Sequence, residues 1–290
     1  MTLDQPIETG AGFRYQDPGF SGPGRIALKV LLGIPAGLRE SILFTSSFLC
    51  CPLQKAVQRV LGGTRMVRVE LTRGPLLGCA FELRSSEKYF LMGDGYEPVV
   101  QAVLKHEVRP GEVVYDIGAH IGYTSLLFAV LCGPNGHVFA FEPSPVNFGR
   151  LRRNIGLNRQ NNITPVKKAA SDTEGDAFLT ERGSESQVVQ GVEDPAGKLS
   201  TIKTVRLDDF VYRDQFRPPS LVKIDVEGYA GRVLGGMGRI LRDFSPRIMF
   251  EVHNEAETAE VFSILSGQLY SFDDIDGCRA FPRHILASRA

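Results

Sequence analysis

Apolar residues in the second half of the chain fall into two alternating patterns. Short, nearly continuous apolar runs occur at 112–117 (EVVYDI), 137–143 (HVFAFEP), 162–171 (NITPVKKAAS), 221–228 (LVKIDVEG) and 246–254 (PRIMFEVHN). Segments with helical character separate them: one to about residue 132, NFGRLRRNIGLN at 147–158, a glycine-rich helix to about 242, and one near 255–266. Strands covered on both faces read as continuous apolar runs, and their alternation with helices predicts βαβ units around a parallel sheet. The last stretch, QLYSFDDIDGCRAFPRHILASR, carries an Asp-Gly turn at 276–277 and predicts a closing antiparallel pair.

Upstream of Arg109-Pro110-Gly111 the pattern differs. YEPVVQAVLKHE at 96–107 predicts a helix entered just before Pro98, a residue suited to a first turn. RMVRVELTRGPLLGCAFEL at 65–83 predicts two short strands around a Gly-Pro turn, and residues 26–62 predict amphipathic helices. Residues 1–25, rich in Gly and Pro, read as an extended arm or mobile tail. The polar stretch 181–200 reads as a long loop over the sheet edge, either a lid or a disordered insertion.

Composition narrows the class. Thirty-three basic residues balance thirty-three acidic ones, so charge makes no case for nucleic acid or an anionic membrane. VLLGIPAGL is broken by Pro35, and no window reaches the roughly 18–20 apolar residues of a spanning helix. Peripheral membrane contact through 26–62 stays open, since Lys29, Arg39, Lys55 and Arg59 interleave with apolar residues there. The five cysteines show no CxxC spacing, and the N-terminus lacks a secretory pattern; a cytoplasmic protein is expected.

Four runs end on an acid: Asp116, Glu142, Asp225 and Glu251. Ligands of open parallel sheets bind beyond the carboxyl ends of the strands, and burying an unpaired carboxylate is costly. These acids are therefore expected to meet a ligand, a helix N-terminus or solvent. Gly118 permits a sharp turn, and Gly122 lets the helix backbone approach strand and ligand. Their spacing is GxxxG rather than the GxGxxG of dinucleotide folds; alone it stands evenly between a nucleotide-type cofactor and simple helix–strand packing. Glu142, 26 residues after Asp116, is positioned to accept two hydrogen bonds from a ribose diol. An acid where a pyrophosphate would otherwise sit favours a ligand that is cationic near Asp116, and S-adenosylmethionine fits.

The stretches VVYDIGAHIGYTS, FAFEPSPVNFGRLRRNIGLN, AASDTEG and VKIDVEGYAGRVLGGM together resemble the FkbM family of S-adenosylmethionine-dependent methyltransferases, over about residues 96–254. The resemblance implies an α/β, Rossmann-like class I methyltransferase core: a seven-stranded, mostly parallel sheet with the last strand antiparallel. Residues 108–290 would form this S-adenosylmethionine-binding domain. Residues 1–107 would form an N-terminal helical and β extension, with a role in acceptor recognition or dimer contacts. Carried over position by position, Asp116, Gly118, Ala119 and Gly122 would frame the methionine part of the cofactor. Glu142 would hold the ribose, Pro143 and Ser144 would line its pocket, and Ala170 and Ser171 would border the adenine. Tyr96 and Glu97 match the family's YE segment and would lie over the cofactor or acceptor. His120 would touch the cofactor carboxylate or cap a helix.

Methyl transfer from a sulfonium is an in-line displacement, and a hydroxyl acceptor needs a base. IDVEG supplies Asp225 and Glu227; FEVHN supplies Glu251 and His253. Asp225 is the first expectation for the base and His253 the second, with Glu251 beside the acceptor. Two plainer readings stay open: Glu227 at a helix N-terminus and His253 as a satisfied edge histidine. Asp225 and Glu251 can also hold Mg²⁺, which prefers oxygen ligands, and metal dependence is left open. The expected activity is O-methylation of a sugar, glycolipid or secondary metabolite. The alternatives are N-methylation of a peptide or small amine, or a non-catalytic binding module; the Asn/Asp-Pro-Pro-Tyr/Phe signature of nucleobase methylation is absent. The expected partner is a small-molecule or glycan acceptor rather than nucleic acid, with room for a homodimer.

Overall fold

The computed structural model describes residues 7–8, 13–16, 66–71, 74–84, 97–180, 187–189, 199–277 and 281–289. Tyr96, the stretch 26–62 and most of 181–198 lie outside the described residues. The chain divides into two compact units: Met1–Pro98 with Gly156–Arg159, and Val99–Ile155 with Gln160–Ala290. In the first, β1 (Ile7–Glu8), β2 (Phe13–Gln16), β3 (Met66–Leu71) and β4 (Ala80–Arg84) form an antiparallel sheet in that order. Val69, Leu71, Leu76, Phe81 and Leu83 are among its buried residues. The β3–β4 pair is the hairpin read at 65–83. The stretch read as an extended arm places β1 and β2 on this sheet, paired to a strand some fifty residues downstream.

Helix α1 (Pro98–Glu107) leads into the second unit, with Pro98 as its first residue. There follow β5 (Val113–Ile117), α2 (Tyr123–Cys132), β6 (His137–Phe141), α3 (Pro145–Leu157) and β7 (Ile163–Val166). Next come β8 (Ala169–Ala170), β9 (Gly175–Thr180), β10 (Gln187–Val189), β11 (Ser200–Val205) and α4 (Leu207–Tyr212). The chain ends with β12 (Leu221–Ile224), α5 (Ala230–Gly235), α6 (Gly238–Asp243), β13 (Arg247–Val252), α7 (Glu255–Ser266), β14 (Tyr270–Asp274) and β15 (Arg283–Arg289). The main sheet has seven strands in the order β14-β15-β13-β12-β5-β6-β7. All are parallel except β15, which runs antiparallel to both β13 and β14. This is the Rossmann-like class I methyltransferase arrangement. Strand order reverses between β5 and β12, and in open parallel sheets ligands bind outside the carboxyl ends of the strands at such a point. The strands' inward positions are closely packed; Tyr115, Phe141, Val222, Ile224 and Phe250 are fully buried in one cluster.

Two features depart from the sequence reading. The run read at 162–171 splits into β7 and β8, and β8 joins β9, β10 and β11 in a second sheet of order β10-β9-β11-β8. The glycine-rich helix is two short helices, α5 and α6. At Gly236, between them, a Cβ would stand 1.9 Å from the Ser171 carbonyl oxygen, so two backbones touch there. The buried Asp208 carboxylate restarts the helix, accepting the N–H groups of Arg239 and Ile240 at 3.0 Å each. Among the described residues no helix is long and apolar enough to cross a membrane.

Candidate active site

Sheet register aligns the acids. Lys223 pairs with Asp116 and Met249, and Ile224 pairs with Ile117 and Phe250; Phe141 also lies beside Ile117. Asp225, Glu251 and Glu142, each one residue further on, therefore share one level across the strand tips, and Asp116, level with Lys223, lies two residues deeper. Asp116 is fully buried, and its Oδ2 accepts the Ser125 hydroxyl at 2.6 Å.

The turn after β5 is built for close approach. Gly118 has φ +85°, and its N–H and that of Ala119 donate to the Phe141 carbonyl at 3.0 and 2.9 Å. A Cβ at Gly118 would lie 1.9 Å from the Asp225 carbonyl oxygen. At Gly122 (φ +90°) a Cβ would meet Leu151 Cδ1 at 2.6 Å, so this glycine seats α2 against α3. Gly122 is also the N-cap of α2. The His120 backbone, at φ +51°, turns its N–H to Glu142 Oε2 at 2.8 Å. Glu142 Oε1 accepts the Ser144 N–H at 2.9 Å. Ser144 Oγ in turn faces the Asn147 N–H at 3.4 Å, which makes Ser144 the N-cap of α3 with Pro145 in the first helical position. Burial pushes the Glu142 carboxyl up to about 7, against these two backbone donors and with help from the Asp116 charge. Pro143 is half-buried beside it. Ala170 and Ser171 are buried at the end of β8, where Ser171 Oγ lies 3.0 Å from the Tyr229 hydroxyl. Asp172 next door pairs with Arg232 at 2.7 Å.

The second group stands on β12, β13 and β15. Asp225 Oδ2 accepts from the buried Lys223 ammonium at 2.8 Å. Asp225, Glu251 and His253 each bring one ligand-type atom within 4.8 Å of the others, so the two carboxyl groups stand close enough to influence each other's ionisation. Burial raises Asp225, but Lys223 more than offsets it and holds the carboxyl below its usual range. Glu251 is driven up, by burial first and then by the Asp225 charge. His253 Nε2 lies 3.2 Å from Glu227 Oε2 and 3.5 Å from Glu251 Oε1, while Nδ1 lies 3.4 Å from Glu257 Oε2. Its pKa rises to about 9, chiefly through Glu257, then through Glu251 and Glu227. On the far side of Glu251, His284 Nε2 stands 3.7 Å from Oε2, and its Nδ1 is 3.0 Å from Asp276 Oδ2.

Asp225, Glu227, Glu251 and His253 are thus brought together, and Asp116, Gly118, Ala119, His120, Gly122, Glu142, Pro143 and Ser144 form a second set around the β5 and β6 tips. Glu227 contacts His253, its Oε2 3.2 Å from Nε2. Glu97 belongs to the first unit, at φ +44°. Sequence reasoning missed Lys223, Glu257, Asp276 and His284. Two of them carried a signal: Lys223 is a charge two residues before Asp225 in an apolar strand, and Glu257 completes an N-x-x-E capping pattern with Asn254.

The sequence model of the Methyltransferase FkbM domain matches residues 116–276, more than half of the chain. The chain belongs to the FkbM family of methyltransferases. It is therefore an S-adenosylmethionine-dependent methyltransferase, and the acidic, glycine-lined strand tips suit a donor with a ribose diol and positive charge. The hexuronic acid methyltransferase AglP of Haloferax volcanii is 29% identical over 193 residues, 64% of this chain and 75% of that protein. The 31-O-demethyl-FK506 methyltransferase FkbM of Streptomyces tacrolimicus is 28% identical over 232 residues, 69% and 88% of the two chains. Among solved structures, methyltransferase FkbM from Methylobacillus flagellatus KT aligns with 18% identity and TM-score 0.44, over 70% of this chain and 55% of that one.

Proposed function

We propose that this enzyme methylates a hydroxyl oxygen on a sugar, glycolipid or secondary metabolite. The observation that carries the reading is the close grouping of Asp225, Glu251 and His253, their atoms within 4.8 Å of one another, at the tips of the strands next to the Gly118 turn. An alcohol needs a base as it attacks, and a base works best when its pKa lies near the working pH. Asp225, held ionised by Lys223, is the weaker base of the two carboxyl groups. Glu251, whose proton affinity is raised, takes the acceptor's proton when it is in its ionised form, and Asp225 and His253 orient it. When bound, S-adenosylmethionine supplies the methyl group and the thioether leaving group. Asp116 faces its positively charged end, Glu142 accepts from its ribose, and Ala170 and Ser171 border its adenine. The names of the hexuronic acid and 31-O-demethyl-FK506 relatives accord with an oxygen on a carbohydrate or a metabolite as the acceptor.

The test is calorimetry with S-adenosylhomocysteine, followed by incubation with labelled donor and a panel of hydroxylated and amine acceptors. Tandem fragmentation that places the added methyl on oxygen supports the reading. Transfer to nitrogen alone, or binding without any transfer, defeats it.

A further inference from the structure

Lys223 is the third residue of β12, among Leu221, Val222 and Ile224, and is 5% exposed. Strand residues two apart share a face, so its side chain follows that of Asp225, and Nζ stands 2.8 Å from Oδ2. A buried ammonium is costly unless paired, and the apolar strand around it would be filled more simply by Val or Ile.

The same cluster has the spacing of a metal site. Asp225, Glu251 and His253 each offer one ligand atom, all within 4.8 Å of one another. Two carboxylates and an imidazole suit a divalent ion. The geometry therefore fits a metal, but the charge does not. An ion on Asp225 would share that carboxylate with an ammonium already 2.8 Å from one of its oxygens, in a pocket where like charges are poorly screened.

We propose that Lys223 is the resident cation of this cluster. Its ammonium takes the seat a divalent ion would otherwise take, fixes the Asp225 carboxylate beside Glu251, and makes the site independent of metal. Lysine suits the task as a compact point charge on a flexible stem. The inference concerns what neutralises the cluster and does not depend on which acceptor is methylated.

The test reads Mn²⁺ binding by electron paramagnetic resonance on the full chain, with and without S-adenosylhomocysteine, and takes the part of the binding that Asp225→Asn abolishes. The native chain is expected to show no Asp225-dependent ion. Lys223→Met, verified as folded by circular dichroism and by S-adenosylhomocysteine affinity, is expected to gain one, with affinity at least about tenfold above the native chain. Lys223→Arg, which keeps the charge, is expected to gain none. If Lys223→Met fails to fold, Lys223→Gln retains a hydrogen-bond donor to Asp225 and serves in its place. Asp225-dependent Mn²⁺ binding by the native chain overturns the proposal, whatever the variants do. So does a folded, uncharged variant that gains no ion.

Discussion

Glu257 holds His253 at two points: its Oε2 accepts the His253 backbone N–H at 2.9 Å and lies 3.4 Å from Nδ1 of the same residue. The ring is thereby turned so that Nε2 faces Glu227 and Glu251. Glu257 is itself buried at the start of α7, where Asn254 caps its N–H. The His253 pKa of about 9 follows, with Glu257 as its largest cause. A folded-state pKa above the unfolded 6.5 means that the stabilisation is fully present below about 6.5 and is lost as pH rises through about 9. In Glu257→Gln the His253 midpoint is expected to fall toward its ordinary value. The drop in melting temperature between those two pH values should shrink by about 2–4 °C per kcal/mol lost. Histidine proton resonances followed across the same range check the midpoint directly, and an unmoved midpoint defeats the assignment.

Glu142 titrates near neutrality, and this gives cofactor binding a pH dependence. Burial is the main reason its pKa reaches about 7. If the ionised carboxylate accepts the ribose hydroxyls, S-adenosylhomocysteine affinity rises as pH increases through about 7. Without ligand the sign is opposite: the folded state holds an extra proton between 4.5 and about 7, so stability falls with rising pH in that window. Glu142→Gln should flatten both slopes and weaken binding by about 10- to 100-fold, the worth of hydrogen bonds to a charged group. Calorimetry and thermal melts at a few pH values decide; a slope that survives in the glutamine variant rules Glu142 out as its source.

Gly118→Ala tests the turn itself. The backbone stands at φ +85°, and a Cβ would press to 1.9 Å from the Asp225 carbonyl oxygen. Backbone cannot yield as a flexible side chain can, and the left-handed conformation adds about 1–3 kcal/mol of strain for a non-glycine residue. The expected result is a melting temperature lower by several degrees and loss of S-adenosylhomocysteine binding. Gly111→Ala is the control for conformation without crowding: it has φ +87° and no atom within 4 Å of its added Cβ. It should cost less and leave binding intact.

What was legible in the sequence follows from how each feature is encoded. The runs that became β5, β6, β12 and β13 are continuous because helices cover both faces, and their terminal acids mark the strand tips through local pattern alone. The break between α5 and α6 was not legible, since a backbone contact between Gly236 and Ser171 leaves no trace in helical propensity. Nor was the second sheet, whose β9 and β11 pair across a long polar stretch. His284 was the least visible. Its place depends on β15 inserting antiparallel between β13 and β14, and sequence order does not state strand order. It also lies beyond residue 276, where the FkbM match stops.

That insertion has a functional consequence for Glu251. Antiparallel register sets His284 directly across from it, so the two side chains share a face. Asp276, in the β14–β15 turn, accepts the His284 backbone N–H at 2.7 Å and lies 3.0 Å from Nδ1, which aims Nε2 at Glu251. Glu251 is thus bracketed, with His253 beside Oε1 and His284 beside Oε2. If Glu251 takes the acceptor proton, losing one bracket should disturb its aim and leave the Gly118 turn untouched. His284→Ala is expected to lower kcat by about 10- to 100-fold, a share of the 10²–10⁴ that a positioned base supplies. S-adenosylhomocysteine affinity should stay unchanged. His284→Gln, which returns an N–H donor near the Nε2 position, should recover part of the loss. Asp276→Asn should resemble the alanine variant more than the native chain, because the amide no longer fixes the ring by charge. An alanine variant with native kcat, or one that loses cofactor affinity in parallel, would remove His284 from the acceptor site and leave it a structural residue of the hairpin.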